Sequence, residues 1–349
     1  MMALSVEAGD RTAAVKRAQT RSLAMAVLGL VLLVALSLSS LALGARLVAV
    51  STVVDALFAY DGGLVDHIVI VDYRLPRTLL SLLCGASFGV SGALIQAATR
   101  NPLADPGILG VNAGAAFFVT LSVGLFGFHS IQATLWFSLL GAVLVTLAVY
   151  GLGMAGRGGA TPVRMVLAGV ALSAVLGGIS SSITLLNPQA FDAMRQWSIG
   201  SVAGRNMAVV TAIAPFIGLG LVIALMSGRS LNTVALGEDL ARALGASLVR
   251  TRILTLAAVT LLAGAATAAC GPICFVGLMV PYAVRWFTGP DQRQILPLTM
   301  IYAPVLMLAA DIAGRLVLYP GELEAGVVTA FLGAPVLIAL ARRKQAVGL

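Results

Sequence analysis

Long apolar stretches, interrupted by short clusters of charge, glycine and proline, set the hydropathic pattern of this chain. Crossing the hydrocarbon core of a bilayer takes about 20 mostly apolar residues in a helix. Only helices and closed barrels satisfy every backbone group there, and unbroken runs of this length select helices. The pattern predicts an all-α polytopic membrane protein with about ten transmembrane helices, near 22–44, 78–99, 107–127, 131–152, 163–186, 208–226, 253–270, 273–286, 297–318 and 326–341. The piece at 273–286 is short for a span. The first apolar run follows Arg11, Lys16, Arg17 and Arg21, the arrangement of a signal peptide. It is too long for a cleaved segment and reads as a retained first helix.

Basic residues concentrate in the short loops of the cytoplasmic side. With ten spans, Arg46, Arg74, Arg77, Arg195, Arg205 and Arg315 fall on the outer side, against sixteen of the 22 Lys and Arg on the inner side. Both termini are therefore expected in the cytoplasm. The net charge of +8 is a topology signal before it is a sign of nucleic-acid binding. Composition agrees: 10% of residues are charged and mean hydropathy is +1.01, whereas soluble domains carry about a quarter charged residues.

Small residues four apart, as in Gly85 to Gly89 and Gly110 to Gly114, let transmembrane backbones approach closely. The stretch Arg77 to Gly92 faintly resembles Arg252 to Gly271. Under this topology the two helices run in opposite senses, as in the inverted repeats of transporters.

The candidate chemistry is sparse. Cys270 and Cys274 lie one helical turn apart, but with Cys84 and the two histidines, His67 and His129, distant in sequence, four-coordinate metal ligation lacks partners. The cysteines read as packing residues, with no metal site. Only two lysines exist, Lys16 and Lys344, and no G-x-x-x-x-G-K-[ST] occurs. ATP-driven work would need ATP-Mg on a separate cytoplasmic chain, and no cofactor is expected in this one. Asp311 is the one acid placed well inside a span, with Arg315 four residues on, the favourable order for an intrahelical pair. The charged connector from Arg229 to Arg252 is amphipathic: Leu236, Leu240 and Leu244 recur at i, i+4, i+8, while Glu238, Asp239 and Arg242 point elsewhere, with Gly237 and Gly245 as brackets. Such a segment lies on a membrane, docks into a partner's groove, or serves as a solvated connector.

Several stretches resemble the FecCD family of ABC importer permeases, which carry vitamin B12, haem and iron siderophores: RLPRTLL at Arg74 to Leu80, NPLADPGILGVNAGA at Asn101 to Ala115 and ALGEDLARALG at Ala235 to Gly245. GPICFVGLMVPYAVR at Gly271 to Arg285, ADIAGR at Ala310 to Arg315 and GELEAGVVTAFLGAP at Gly321 to Pro335 follow in the family's order. ITLLNPQAFDAMRQW at Ile183 to Trp197 and LIALARRK at Leu337 to Lys344 are similar to the ferric-enterobactin branch.

The resemblance implies a single permease domain over 1–349, with 229–252 as a cytoplasmic coupling loop within it. It implies no enzymatic activity in this chain. Its partners would be a second permease chain, homologous or identical, two cytoplasmic ATPase chains and an outer substrate-binding protein delivering a ferric siderophore. Haem or vitamin B12 cargo, and an ion-gradient-driven secondary transporter, are the alternatives. The segment with Leu236, Gly237, Glu238, Leu240, Ala241, Leu244 and Gly245 matches the family's ATPase-coupling helix. Arg74, Arg77 and Arg315 match arginines that receive acidic residues of the binding protein, and Thr161 falls in the inner gate region. Cys274 and Tyr282 stand where the family commonly has Gly and His.

Overall fold

The computed structural model describes residues 2–44, 46–155, 162–318 and 321–342. Its regular structure is helical, with no strand among the described residues. Helix α1 (Met2–Ala42) leads into α2 (Val50–Phe58) and α3 (Val65–Ile68). α3 passes through a π turn, Val69–Arg74, into α4 (Leu75–Thr99), and a 3-10 turn, Pro106–Leu109, precedes α5 (Val111–Gly124). Then come α6 (Ile131–Met154), α7 (Pro162–Leu186), α8 (Pro188–Ile199), α9 (Met207–Ala235), α10 (Glu238–Ala243) and α11 (Leu248–Cys270). α12 (Val276–Thr288), α13 (Gln292–Val317) and α14 (Ala325–Arg342) complete the bundle.

Local chemistry fixes several boundaries. The Ser130 hydroxyl accepts from Ala133 N–H at the start of α6, Asn187 accepts from Gln189 and Ala190 N–H at α8, and Asn206 accepts from Val209 N–H at α9. These polar side chains occupy N-cap positions, where they satisfy amides that no helical carbonyl can reach.

Among the described residues, seven helices are long and apolar enough to cross a membrane: the Thr20–Ala42 part of α1, Val65–Thr99, α6, the Val163–Leu186 part of α7, α9, α11 and α13. The other three expected spans fall on shorter helices. α5 has 14 residues and α12 has 13, and the apolar part of α14 is Ala325–Ala339. For α5 the cause is local: after the loop Arg100–Asp105 the chain makes the 3-10 turn Pro106–Leu109 before the helix starts, while α12, expected to be short, follows the non-helical Gly271–Phe275. Arg100 and Phe275 take left-handed backbone angles, φ 52° and 70°, which side-chain-bearing residues adopt rarely.

α4 and α11 form the centre. Within their apolar windows 83% and 72% of residues are buried, against 6% in both α1 and α7. α4 and α11 pack side by side in opposite senses: Ile95, Ala98 and Thr99 share a cavity with Arg252, Thr255 and Leu256, and Phe88 shares another with Ala263. Each is followed by a non-helical segment and a short helix. Close approach depends on missing side chains, as expected for the spaced glycines. A Cβ on Gly85 would stand 2.7 Å from Pro304 Cα, and one on Gly92 would stand 1.9 Å from the Gly277 carbonyl oxygen.

Candidate functional site

Three of the sequence-selected arginines meet at one end of the bundle. α1 ends there with no basic residue in its last turn, so its final carbonyls need outside donors. Arg74, at the end of the π turn, donates Nη1 to the Leu41 and Ala42 carbonyls at 2.7 and 2.8 Å, and Nη2 to the Arg46 carbonyl. Arg315, late in α13, donates Nη1 to the Ser40 and Leu43 carbonyls at 2.9 and 3.0 Å. Its Nη2 reaches Ser40 Oγ at 2.7 Å and Asp311 Oδ2. Ser40 Oγ also pairs with Thr78 Oγ1 at 2.8 Å. Two helices distant in sequence thus cap the first one.

Asp311 is the hub of this network and is 1% exposed. The intrahelical pair with Arg315 forms as its spacing predicts. Arg77, 234 positions earlier, supplies the second guanidinium: Nε and Nη2 reach Asp311 Oδ1 at 3.0 and 2.9 Å in a fork, and Nη1 reaches Glu322 Oε2 at 2.8 Å. Arg74 and Arg315 are buried, and Arg77 is nearly so. The terminal Nη groups of all three arginines are therefore already engaged within the chain, Arg315 Nε is buried without a partner among the described residues, and only the Arg77–Glu322 edge reaches the surface. The sequence signal for this arrangement is the uncapped end of α1. Spacing along the chain carries no information on Arg77 as a partner of Asp311.

α13 has 26 residues, about 39 Å of helix, and its other end carries a different site. There α9 stops at Ala235, Gly237 turns with φ 109°, and α10 makes one and a half turns before Gly245, φ 78°. Ser247 Oγ accepts from Arg250 N–H to start α11. Ala241 is fully buried against the bundle, while Leu236, Leu240 and Leu244 are 61%, 49% and 62% exposed. Leu236 and Leu244 flank the short helix rather than lying within it, because the glycines terminate it at both ends. The side chain of Glu238 lies outside what is described, as does Thr161, the gate candidate. A link absent from the sequence reading anchors this loop: Asn232, one turn before the end of α9, donates to Asp291 Oδ1 at 2.6 Å and accepts from Gln292 N–H at 2.8 Å. The connector is thereby tied to the turn between α12 and α13.

Between the two ends, the non-helical segments approach each other. Cys274 is exposed and lines a small cavity with Asp105, Asn112 and Phe88. Asp105 accepts from Gly107 N–H at 2.7 Å, and Asn112 Oδ1 accepts from Thr267 at 3.2 Å. Cys84, on α4, and Cys270, at the end of α11, are buried, and the Cys270 thiol donates to the Ala266 carbonyl at 3.0 Å. Among the described residues no three His, Cys, Asp or Glu side chains gather as a metal site. Tyr282 is buried against Val336 and Leu337, with an edge-on contact to Trp286 at 5.2 Å.

An all-helical bundle with seven full-length apolar helices, an internally capped end and a glycine-bracketed connector with exposed leucines defines a polytopic membrane protein. The model of the FecCD transport family matches residues 31–343, and the chain belongs to that family. The ferric enterobactin transport system permease protein FepD of Escherichia coli (strain K12) is 47% identical over 327 residues, covering 94% of this chain and 97% of its own. The iron(3+)-hydroxamate import system permease protein FhuB of Bacillus subtilis (strain 168) is 39% identical over 320 residues, covering 91% of this chain and 83% of its own. Among solved structures, a metal-chelate type ABC transporter in an inward-facing conformation superposes with a TM-score of 0.80 at 28% identity, covering 90% of this chain and 98% of that one.

Proposed function

We propose that this chain is a permease subunit of an ATP-driven importer that brings a ferric siderophore, of the catecholate enterobactin type, into a bacterial cytoplasm. The observation that carries the reading is the 47% identity to FepD, which runs nearly the whole length of both chains. The chain performs no covalent chemistry. It works with a second permease chain, two cytoplasmic ATPase chains that hold ATP-Mg, and an outer substrate-binding protein. ATP hydrolysis on the partners shifts the bundle between two packings, outward-open and inward-open, by stabilising one over the other.

In this reading the single domain crosses the inner membrane ten times, with the seven long helices joined by α5, α12 and α14, and both termini and α10 are cytoplasmic. Leu236, Leu240 and Leu244 seat in the ATPase, Gly237, Glu238 and Gly245 shape the segment, and Ala241 anchors it to the bundle. Thr161 belongs to the inner gate. The second permease chain packs on α7, whose exposed positions alternate small residues, Gly177, Gly178, Ser181 and Ser182, with Val175, Ile179 and Leu185. At the outer end Arg74, Arg77 and Arg315 form the docking platform. Because their forks are engaged in the free chain, a carboxylate of the binding protein must exchange with Glu322 at Arg77 or bind to the surface that Arg74 and Arg315 hold in shape.

Uptake by proteoliposomes containing the chain and its co-purifying partners tests this. The expected result is ferric-enterobactin accumulation that requires internal ATP and the binding protein. Preference for a hydroxamate siderophore, haem or vitamin B12 would reassign the cargo, and uptake driven by an ion gradient without ATP would overturn the machine. Reporters after Leu349 and near Gly237 should read cytoplasmic and one near Gly63 external; an external C-terminus would break the ten-crossing arrangement.

A further inference from the structure

A cavity of about 350 Å³ lies between the last third of α9 and the first turns of α13, on the same end of the bundle as α10. Two guanidiniums line it, Arg229 from α9 and Arg293 from α13, together with Leu225, Met226, Leu296 and Pro297. The two helices come close here: a Cβ at Gly228 would stand 3.5 Å from Arg293 Cα, within ordinary van der Waals contact. Neither guanidinium has an ion pair or hydrogen bond among the described residues. The neighbouring carboxylate is Asp291, whose Oδ1 takes the Asn232 amide and the Arg293 backbone N–H, so it answers the backbone and not the cationic heads. The same contacts, with the Gln292 N–H on Asn232, tie the end of α9 to the start of α13 beside the cavity.

Depth and surroundings identify the occupant. Arg229 lies 22 residues past the start of α9, about 33 Å along the helix. That is close to the roughly 30 Å thickness of the hydrocarbon core, which puts the charge at the level of the lipid phosphates. On the bilayer side of Arg229 the exposed stripe of α9 is apolar, with Leu219, Val222, Leu225 and Met226. Basic pockets between transmembrane helices suit anionic headgroups, and a guanidinium fork matches a phosphate oxygen pair.

We propose that this cavity binds the phosphate of an anionic membrane phospholipid, with an acyl chain lying along the apolar stripe of α9. The shared chemistry with free phosphate is the oxygen pair; the acyl contact is what separates the two. The site depends on the chain being membrane-embedded and not on which cargo it carries.

The test is native mass spectrometry of the detergent-purified full chain, titrated with phosphatidylglycerol, phosphatidylcholine or inorganic phosphate. We expect phosphatidylglycerol to be retained at about one molecule per chain beyond the phosphatidylcholine level, with no displacement by inorganic phosphate. Arg229→Gln/Arg293→Gln should lose that selective retention several-fold, whereas Arg342→Gln, outside the cavity, should keep it. Both arginines are exposed, so folding is expected to survive; single variants at each position, checked by thermal melting, supply the same comparison if the double variant melts early. Equal retention of the two lipids, displacement by inorganic phosphate, or unchanged selectivity without the two arginines would overturn the proposal.

Discussion

The two ends of α13 solve opposite problems. At the Asp311 end, charged groups buried among helices find their partners inside the chain: Arg77 and Arg315 share one carboxylate, and Arg74 and Arg315 cover the carbonyls that α1 leaves open. Within the α10 segment, Leu236–Gly245, Ala241 is the one deeply buried side chain among the described residues, and three leucines are about half exposed or more. A buried charge without a partner costs several kcal/mol, and the Asp311 end avoids that cost, whereas Arg285, late in α12, is buried with no hydrogen-bond partner for its guanidinium among the described residues. An exposed leucine can wait for a partner, at a cost of about 2 kcal/mol or less in unburied apolar area. The closed end therefore concerns the stability of this chain, and the open end concerns what the chain assembles with.

Substitutions ranked by their effect on unfolding test that division. The largest effect is expected at Asp311. Asp311→Ala leaves two nearly buried guanidiniums without their carboxylate and should destabilise the protein by about 3–5 kcal/mol. Thermal melting in detergent would show it, with Asp311→Asn milder because one acceptor oxygen remains. An Asp311→Ala protein that melts like the parent would mean the network is incidental, and the contrast between the ends would collapse.

Arg74→Leu comes next. It removes donors from the Leu41 and Ala42 carbonyls, and an unsatisfied buried group costs about 1–3 kcal/mol. The loss should be local, since α1 has few buried residues in its span. Faster hydrogen exchange confined to the end of α1 and to α2 is the expected signature; uniform loosening of the bundle would point to a wider role.

Glu322→Gln should cost no more than about 1 kcal/mol, because the Arg77–Glu322 pair is partly solvated. Its informative readout is binding-protein affinity. If Arg77 exchanges partners on docking, removing the internal competitor should tighten binding. Weaker binding would indicate that Glu322 itself, and not Arg77, meets the partner.

How much of this was legible in the sequence differs between the two ends for a physical reason. The α10 segment is local: leucines at i, i+4, i+8 between two glycines are visible in a ten-residue window, and only the shortness of the helix, set by Gly237 and Gly245, departs from that pattern. The Asp311 network is non-local. Spacing revealed its i, i+4 pair with Arg315, while Arg77 and the α1 carbonyls lie hundreds of positions away. The burial of Arg74 was equally hidden, so that charge reversal there is a folding lesion before it is a docking lesion. The helix content was readable from apolar runs, and the piece at 273–286 read as short, as α12 is; the length of α5 was not readable, because the 3-10 turn Pro106–Leu109 and Gly110, φ 76°, interrupt the helix inside the apolar run that begins at 107.

The smallest effect on stability, and the sharpest on function, belongs to Leu240→Asp. Leu240 is half exposed in the free chain, so the substitution removes little buried area, and surface changes of this kind stay within about 0.5 kcal/mol. Melting should be unchanged. If the leucine face seats in an apolar groove of the ATPase, the same carboxylate is desolvated without a partner on assembly, and association should be lost along with binding-protein-stimulated ATP hydrolysis. Ala241 sharpens the comparison from the other side: it is fully buried against the bundle, so Ala241→Leu should overpack that contact at a cost of about 1–3 kcal/mol. Two adjacent residues would then separate cleanly, one acting on assembly without stability and one acting on stability first. Full ATPase assembly and transport with Leu240→Asp would reduce the segment to a solvated connector, and the open end of the molecule would need a different occupant.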